Sequence, residues 1–396
     1  MEAPVLPLQP TYRLAELVRY FLWLGTLGFG GPIALVGYMH RDLVERRRWL
    51  SEEEYRQGLT LAQLAPGPLA AQLGIYLGFV HYGVWGATLT GLAFVLPSFI
   101  MVVLLGMAYT LYGGLPWMQS VFYGVGAAVI GIISLSAYKL TTKAISPLRL
   151  EAMKDRWLLW LFFLIMAVVT VITQQEVVWL FILMGLVYMA VQAPPAWLRR
   201  SGKTMSVVFL FQAGFWQYEP DTLWQLGRFF VKAGAFVFGS GLAIIPFLQH
   251  GVIHEHGWLN EKQFLDAVAV AMITPGPVVI TVAFIGFLVA GFPGALVAAL
   301  GVFFPCYVCT VLPAPYFRKI AHNTSIKAFV EGITAAVVGA LVGSVFVLAS
   351  RSLSDVPSVL MALASIGGLL SVKKASEPLI ILAAALLGFI FYYSGR

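Results

Sequence analysis

Two Pro-Gly-Pro triplets carry the clearest chemistry in the sequence: Pro66-Gly67-Pro68 after Ala65, and Pro275-Gly276-Pro277 after Thr274. Two prolines around a glycine cannot continue a helix, because proline lacks a backbone donor and forces the residue before it into an extended shape. A new helix can begin at once, since Pro68 suits its first position. The unpaired N–H groups of such a start concentrate roughly half a positive charge, which is a place for an anion. Each triplet follows an earlier interruption, Phe29-Gly30-Gly31-Pro32 before the first and Phe238-Gly239-Ser240-Gly241 before the second.

Other side chains could serve the same chemistry. Gln63 and Thr274, with Gln72 and Thr281, flank the triplets and could donate hydrogen bonds to an oxyanion; helix–helix bonding is the competing role. Arg19, Arg228 and Lys232 could draw a dianion toward the breaks, or simply snorkel to a membrane interface. His81, His322, Asp266 and Glu331 are the candidate titrating groups, and no proton relay stands out. Cys306-x-x-Cys309 has a redox or metal spacing, but it follows Pro305 in an apolar stretch and reads as small packing residues. Paired carboxylates, a His-rich cluster and a nucleophile–base spacing are all missing from the sequence, which argues against an enzyme. Neither a cofactor nor a metal is expected.

The elements that must position these residues follow from composition. The chain has 396 residues, 60% hydrophobic and 11% charged, with net charge +7 and mean hydropathy +0.85. Soluble domains average about 25% charged residues. A soluble enzyme, a disordered chain and a nucleic-acid binder are excluded; the excess of Lys and Arg orients loops at a membrane. Two cysteines exclude a disulfide scaffold. A membrane helix needs about 20 apolar residues, and the charge-free runs give about twelve hydrophobic segments. The run 57–138 must break near Gly83 and Gly113-Gly114-Leu115-Pro116, and the run 267–317 at Gly291-Phe292-Pro293-Gly294. The fold class is an all-α polytopic membrane protein, with no signal peptide expected ahead of it.

The chain is also a repeat. Residues 17–80 align with 226–289 at an offset of 209, pairing Arg19 with Arg228, Gly25 with Gly234 and the two triplets with each other. At an offset of 208, Pro97 pairs with Pro305, Gly124 with Gly332 and Gly131 with Gly339. The division is 1–16 N-terminal segment, 17–193 first transmembrane repeat, 194–225 linker and 226–396 second transmembrane repeat. Positive loops change places between the copies. Arg41 and Arg46-Arg47-Arg48, with Lys139, Lys143, Arg149, Lys154 and Arg156, mark the first copy; Arg318, Lys319, Lys327 and Lys373-Lys374 mark loops of the opposite kind in the second. Lys and Arg face the cytoplasm, so two inverted-topology repeats are expected. Inversion demands an odd number of crossings between equivalent points, so one broken helix per copy should re-enter on the side it came from.

Glu45-Arg46-Arg47-Arg48-Trp49-Leu50, Pro66-Gly67-Pro68 and Phe94-Val95-Leu96-Pro97, after Phe29-Gly30-Gly31-Pro32, resemble the N-terminal half of the chromate ion transporter family. Gly257-Trp258-Leu259, Thr274-Pro275-Gly276-Pro277 and the run from Glu331 to Gly339 resemble its C-terminal half. The resemblance covers nearly the whole chain and matches the long, two-domain form. It implies a transporter moving chromate out of the cytoplasm across a bacterial inner membrane, with sulfate as a relative or competitor, a lipid bilayer as its surroundings and no nucleic-acid partner. The chain leaves room for a homodimer. Ser240 departs from the glycine pair of the first copy and makes the two half-sites unequal. Uptake or exchange of sulfate or another oxyanion is the alternative, and an enzyme or flippase acting on phosphorylated lipid a more remote one.

Overall fold

The computed structural model describes residues 12–29, 31–112, 115–146, 156–173, 178–194, 222–235, 241–316, 323–353, 355–371 and 377–393. All regular elements among them are helical, and fourteen are α-helices. The first copy holds α1 (Leu14–Leu27), α2 (Gly31–Met39), α3 (Glu52–Leu64), α4 (Leu69–Tyr112), α5 (Pro116–Ala144), α6 (Trp157–Thr173) and α7 (Val178–Gln192). The second holds α8 (Thr222–Ala235), α9 (Ile245–Gln249), α10 (Glu261–Ile273), α11 (Thr281–Val311), α12 (Thr324–Ser352), α13 (Val356–Ser371) and α14 (Glu377–Tyr393). The hydrophobic segments expected from sequence thus resolve into more pieces, because each interruption separates two helices. Most of the 194–225 stretch, and Gly30, Gly113, Gly114, Gly239, Ser240, Arg318, Lys319 and His322, lie outside the described residues.

The two copies repeat in detail. A π-helical turn, His40–Arg46, follows α2, and its counterpart His250–Glu255 follows α9. Trp49 N–H donates to Leu43 O at 2.8 Å, and Trp258 N–H donates to Val252 O at 2.8 Å. Ser51 with Glu54 caps α3, and Asn260 with Gln263 caps α10, each in a reciprocal box that satisfies two free donors.

As one straight rod, α4 would run about 66 Å, twice the thickness of the hydrocarbon core. Instead it folds back at Gly83, whose φ of 58° and ψ of −149° only glycine tolerates easily. Behind this bend Gly78 lies against the Gly86 carbonyl, and the Thr90 hydroxyl donates to Gly74 O at 3.1 Å. α11 folds back in the same way at Gly291, φ 62°.

Each copy also has a broken hairpin, the first made of α3 and the first limb of α4, the second of α10 and the first limb of α11. At the open end of the first, His81 Nε2 meets Glu54 Oε1 at 3.1 Å, Gly58 packs on Tyr76, and Pro66-Gly67-Pro68 forms the tip. The chain path turns back on itself at this tip.

The long limbs of α4 and α11 lie side by side and antiparallel. Thr88 Oγ1 is 2.7 Å from the Tyr307 hydroxyl and the Phe99 and Phe292 rings are 6.2 Å apart; on the other side of the α11 bend Gly106 packs on Phe287. The last two helices of each copy cross to the other. Gly124 and Gly131 of α5 lie against the Ala384 and Ala362 backbones, while Gly332 and Gly339 of α12 lie against Met184 and Phe163. Small residues let the helix backbones approach this closely, which is how helices pack where burial from lipid gives no hydrophobic gain. Outside, Leu92, Leu96, Ile100, Leu104 and Leu111 form an exposed apolar stripe along α4. Four helical stretches, Leu69–Tyr112, Pro116–Ala144, Val278–Tyr316 and Thr324–Ser352, are long and apolar enough to cross a membrane, and four more are shorter and apolar.

Candidate functional site

The tips of the two broken hairpins face the long limb of the opposite copy. A Cβ at Gly67 would sit 2.8 Å from Cys306 Sγ, and one at Gly276 would overlap Ser98 Oγ. Ser98 and Cys306 are equivalent positions of the repeat. Ser98 is also the middle residue of the limb 84–112, so the second tip lies halfway along a helix long enough to span. The Ser98 hydroxyl donates to Pro275 O at 2.7 Å, and Gly276 N–H donates to Gly28 O at 3.0 Å, at the end of α1. Gly241 packs on Val278 and Val279 just past the same tip. The interruptions of both copies thus meet at the second triplet.

The two tips differ in their free polar groups. In the first, Gln72 N–H makes the earliest helical bond, to Pro68 O at 3.0 Å. The N–H groups of Leu69, Ala70 and Ala71 precede that ladder, and all three residues are buried. Gln72 Nε2 donates to Pro66 O at 2.8 Å, which leaves Gln72 Oε1 buried without a partner. A buried helix start with free donors and an orphaned amide oxygen calls for water or a ligand. In the second tip the chain passes through a short 3₁₀ turn, Val278–Ile280. There Thr274 Oγ1 and Thr281 Oγ1 donate to Ala271 O at 3.0 Å and Val278 O at 2.8 Å. Those hydroxyls are spent on their own helices.

Of the residues singled out from sequence, Pro66, Gly67, Pro68, Thr274, Pro275, Gly276 and Pro277 form the two tips. Pro68, Gly276 and Pro277 are buried and Pro66 is half-buried. Gly31 and Pro32 open α2, and Gly241 opens the turn before α9. Gln63, Arg19, Arg228 and Lys232 are exposed, and none of the four makes an ion pair among the described residues. The arginine run is engaged locally: Arg46 meets Asp42 at 3.4 Å, and Arg47 stacks over Trp49 at 4.6 Å and Tyr20 at 5.6 Å. Glu45 pairs with His40 at 3.2 Å. Cys306 and Cys309 are free thiols. Ser98 was not legible as a site residue, because a lone serine in an apolar helix has no local signal; only its equivalence to Cys306 marks it. Away from the tips, Thr170, Pro246, Gln249, His250, His254, Ser344 and Val347 line a small cavity between α6, α9 with its following π turn, and α12.

At the open end of the first hairpin Glu54, which lies outside the four spanning stretches, accepts from Ser51 and pairs with His81, whose Nδ1 lies 2.7 Å from the Tyr12 hydroxyl. The His81 hydrogen bond, with the capping bonds, pulls Glu54 down to about 2.

The family described as chromate transporter matches residues 15–189 and 224–389 of this chain. The chromate transport protein of Cupriavidus metallidurans is 59% identical over 386 residues, covering 97% of this chain and 94% of that protein. The probable chromate transport protein of Synechococcus elongatus is 57% identical over 393 residues, covering 98% of each. The chromate transport protein of Pseudomonas aeruginosa is 27% identical over 97% of this chain. No solved structure matches. A helical, multi-pass membrane protein built for transport and not for enzymatic turnover, the chain belongs to the chromate transporter family.

Proposed function

We propose that the protein exports chromate from the cytoplasm of a bacterial cell across its inner membrane, and so confers resistance to it. The observation that carries this reading is the first tip, where three buried residues, Leu69, Ala70 and Ala71, precede the helical ladder beside the orphaned Gln72 oxygen. Backbone donors of this kind bind an oxyanion without a buried cation, which suits a chain with so few charges along its helices. The orphaned acceptor is served by a water or by the hydrogen of a protonated oxyanion. The second tip, held by Ser98 and Gly28, forms the opposite wall.

The copies 17–193 and 226–396 act as two units of opposite topology. The antiparallel course of α4 and α11 supports this, because a two-fold axis relating them lies across the helices and hence in the membrane plane. The change of side of the positive loops agrees with it. Alternating access then consists of one unit rocking against the other about the tips.

Direction comes from the membrane potential. One charge crossing 100 mV is worth about 2.3 kcal/mol, so a bare dianion gains at most about 4.6 on leaving a negative cytoplasm. Sulfate has the same tetrahedral shape and charge, so a site of backbone donors excludes it poorly and sulfate competes. The test is chromate flux in proteoliposomes under an imposed potential, with wild type beside Pro66→Ala and Pro275→Ala. Potential-driven flux that falls in both variants is expected. Flux indifferent to potential, or unchanged in both variants, overturns the reading, and faster inward sulfate flux would favour oxyanion uptake instead.

A further inference from the structure

We propose that Asp266, on α10 of the second hairpin, binds a proton that travels with the anion. The proposal rests on the transport reading and adds the coupling ion to it. Asp266 is 2% exposed, and among the described residues its hydrogen bond is from the Tyr109 hydroxyl to Oδ2 at 2.7 Å. Among the described residues no Lys, Arg or His nitrogen comes within 4.0 Å of it. The charged group nearest in sequence, Lys262, lies one turn earlier on the same helix and is exposed. Tyr109 from α4 and Lys262 from α10 are the titratable groups acting on this carboxyl. An ionised carboxylate needs a cation or several donors when buried, and an ionisable residue at membrane depth marks a pathway or relay.

The other candidate titrating groups do not share this setting. His81 is held between Tyr12 and Glu54, Glu331 is half-buried, and His322 lies outside the described residues. The pair is also confined to one copy. The repeat places Gln57 opposite Asp266, where its amide donates to Glu53 at 2.9 Å, and Phe317 opposite Tyr109.

Position supplies the coupling. Asp266 precedes Thr274 by eight residues, about 12 Å along the helix, and Tyr109 joins it to the limb that carries Ser98. An anion at the tips repels an ionised Asp266, so anion and proton bind together: the acid loads when chromate loads and releases its proton where chromate leaves. Loss of the proton leaves a carboxylate that must reach water, which displaces α10 from Tyr109 and moves the second tip.

The experiment uses the full chain in proteoliposomes. With the potential clamped at zero, a one-unit pH gradient, acid on the side of origin, should drive about tenfold chromate accumulation in wild type. Asp266→Asn should abolish that response while chromate–chromate exchange still runs. With pH equal on both sides, tenfold accumulation should need about 59 mV in wild type, for one net charge, and about 30 mV in Asp266→Asn, for two. Asp266→Glu should restore the pH response, and Tyr109→Phe should shift its midpoint. A pH response kept in Asp266→Asn, or absent from wild type that exchanges chromate, overturns the proposal. Absence of chromate exchange in wild type overturns the transport reading instead. Dicyclohexylcarbodiimide, which adds to a protonated membrane carboxyl, then still decides the proton site: label on Asp266 supports it, and an unlabelled Asp266 refutes it.

Discussion

Replacing Gly276 by alanine tests the central contact between the copies. Gly276 has φ 96°, a region L-residues enter at a cost of about 2 kcal/mol. The added methyl would overlap Ser98 Oγ, and overpacking of this kind costs about 2 kcal/mol more. Gly276→Ala should therefore lose about 4 kcal/mol by these two effects. Ser98→Ala alone gives up the hydrogen bond to Pro275 O, about 1 kcal/mol, but it empties the space the methyl needs. The double variant should then lose only about 3 kcal/mol, against about 5 if the effects added, a coupling of about 2 kcal/mol where independent sites add within about 0.5. Equilibrium unfolding in mixed micles of mild and denaturing detergent reads all four proteins, and chromate flux reads the same set for function. Additivity within about 0.5 kcal/mol, or Gly276→Ala as stable as wild type, would refute the contact between the second tip and the first copy.

Gly83→Ala and Gly291→Ala meet open space, since nothing lies within 4 Å of either added Cβ; each should lose only the backbone term, about 1–3 kcal/mol, and equal losses in the same unfolding assay would verify the matched bends. Gly131→Leu and Gly339→Leu press on the Ala362 and Phe163 backbones and should each cost about 3 kcal/mol, read as earlier unfolding and faster proteolysis; unaffected variants would argue against the crossed packing of the terminal helices. Glu54 is held below its ordinary carboxylate value, down to about 2, so its contribution is fully present above the unfolded value of about 4.3 and is lost as pH falls toward 2. Thermal unfolding of wild type and Glu54→Gln should differ at pH 7 and converge near pH 2; a difference independent of pH would show that the hydrogen bonds act without the charge.

The breaks were legible because they depend on local covalent facts. The paired prolines around a glycine, Pro66 with Pro68 and Pro275 with Pro277, stop helices where the lone Pro97 and Pro305 do not, and Gly83 and Gly291 mark bends that few other residues can adopt. The π turns after α2 and α9 were not legible, since nothing in His40–Arg46 or His250–Glu255 sets π apart from α. Reading Arg19, Arg228 and Lys232 as attractors of a dianion followed from charge and depth alone. Their exposed positions depend on how α1 and α8 are rotated, which follows from packing on α4 and α11. Asp266 could be named as a titrating candidate, but its partner could not, because Tyr109 lies in the other copy.

By itself the sequence determined the solvent, the repeat, the interruptions and the family. Composition, periodic charge-free runs and proline chemistry act on neighbours in the chain, so they can be read without knowing the fold. The tertiary structure alone decided that α6 and α7 pack on α12 while α13 and α14 pack on α5, that the Gly276 tip reaches Ser98 and Gly28, and that the hydroxyls of the second tip are spent on their own helices while Gln72 Oε1 of the first is left without a partner. In a membrane helix the face toward lipid and the face toward another helix are similarly apolar, so hydropathy does not tell which face meets which partner. Shape does: the places where glycine lets two backbones touch are fixed only when both helices are present.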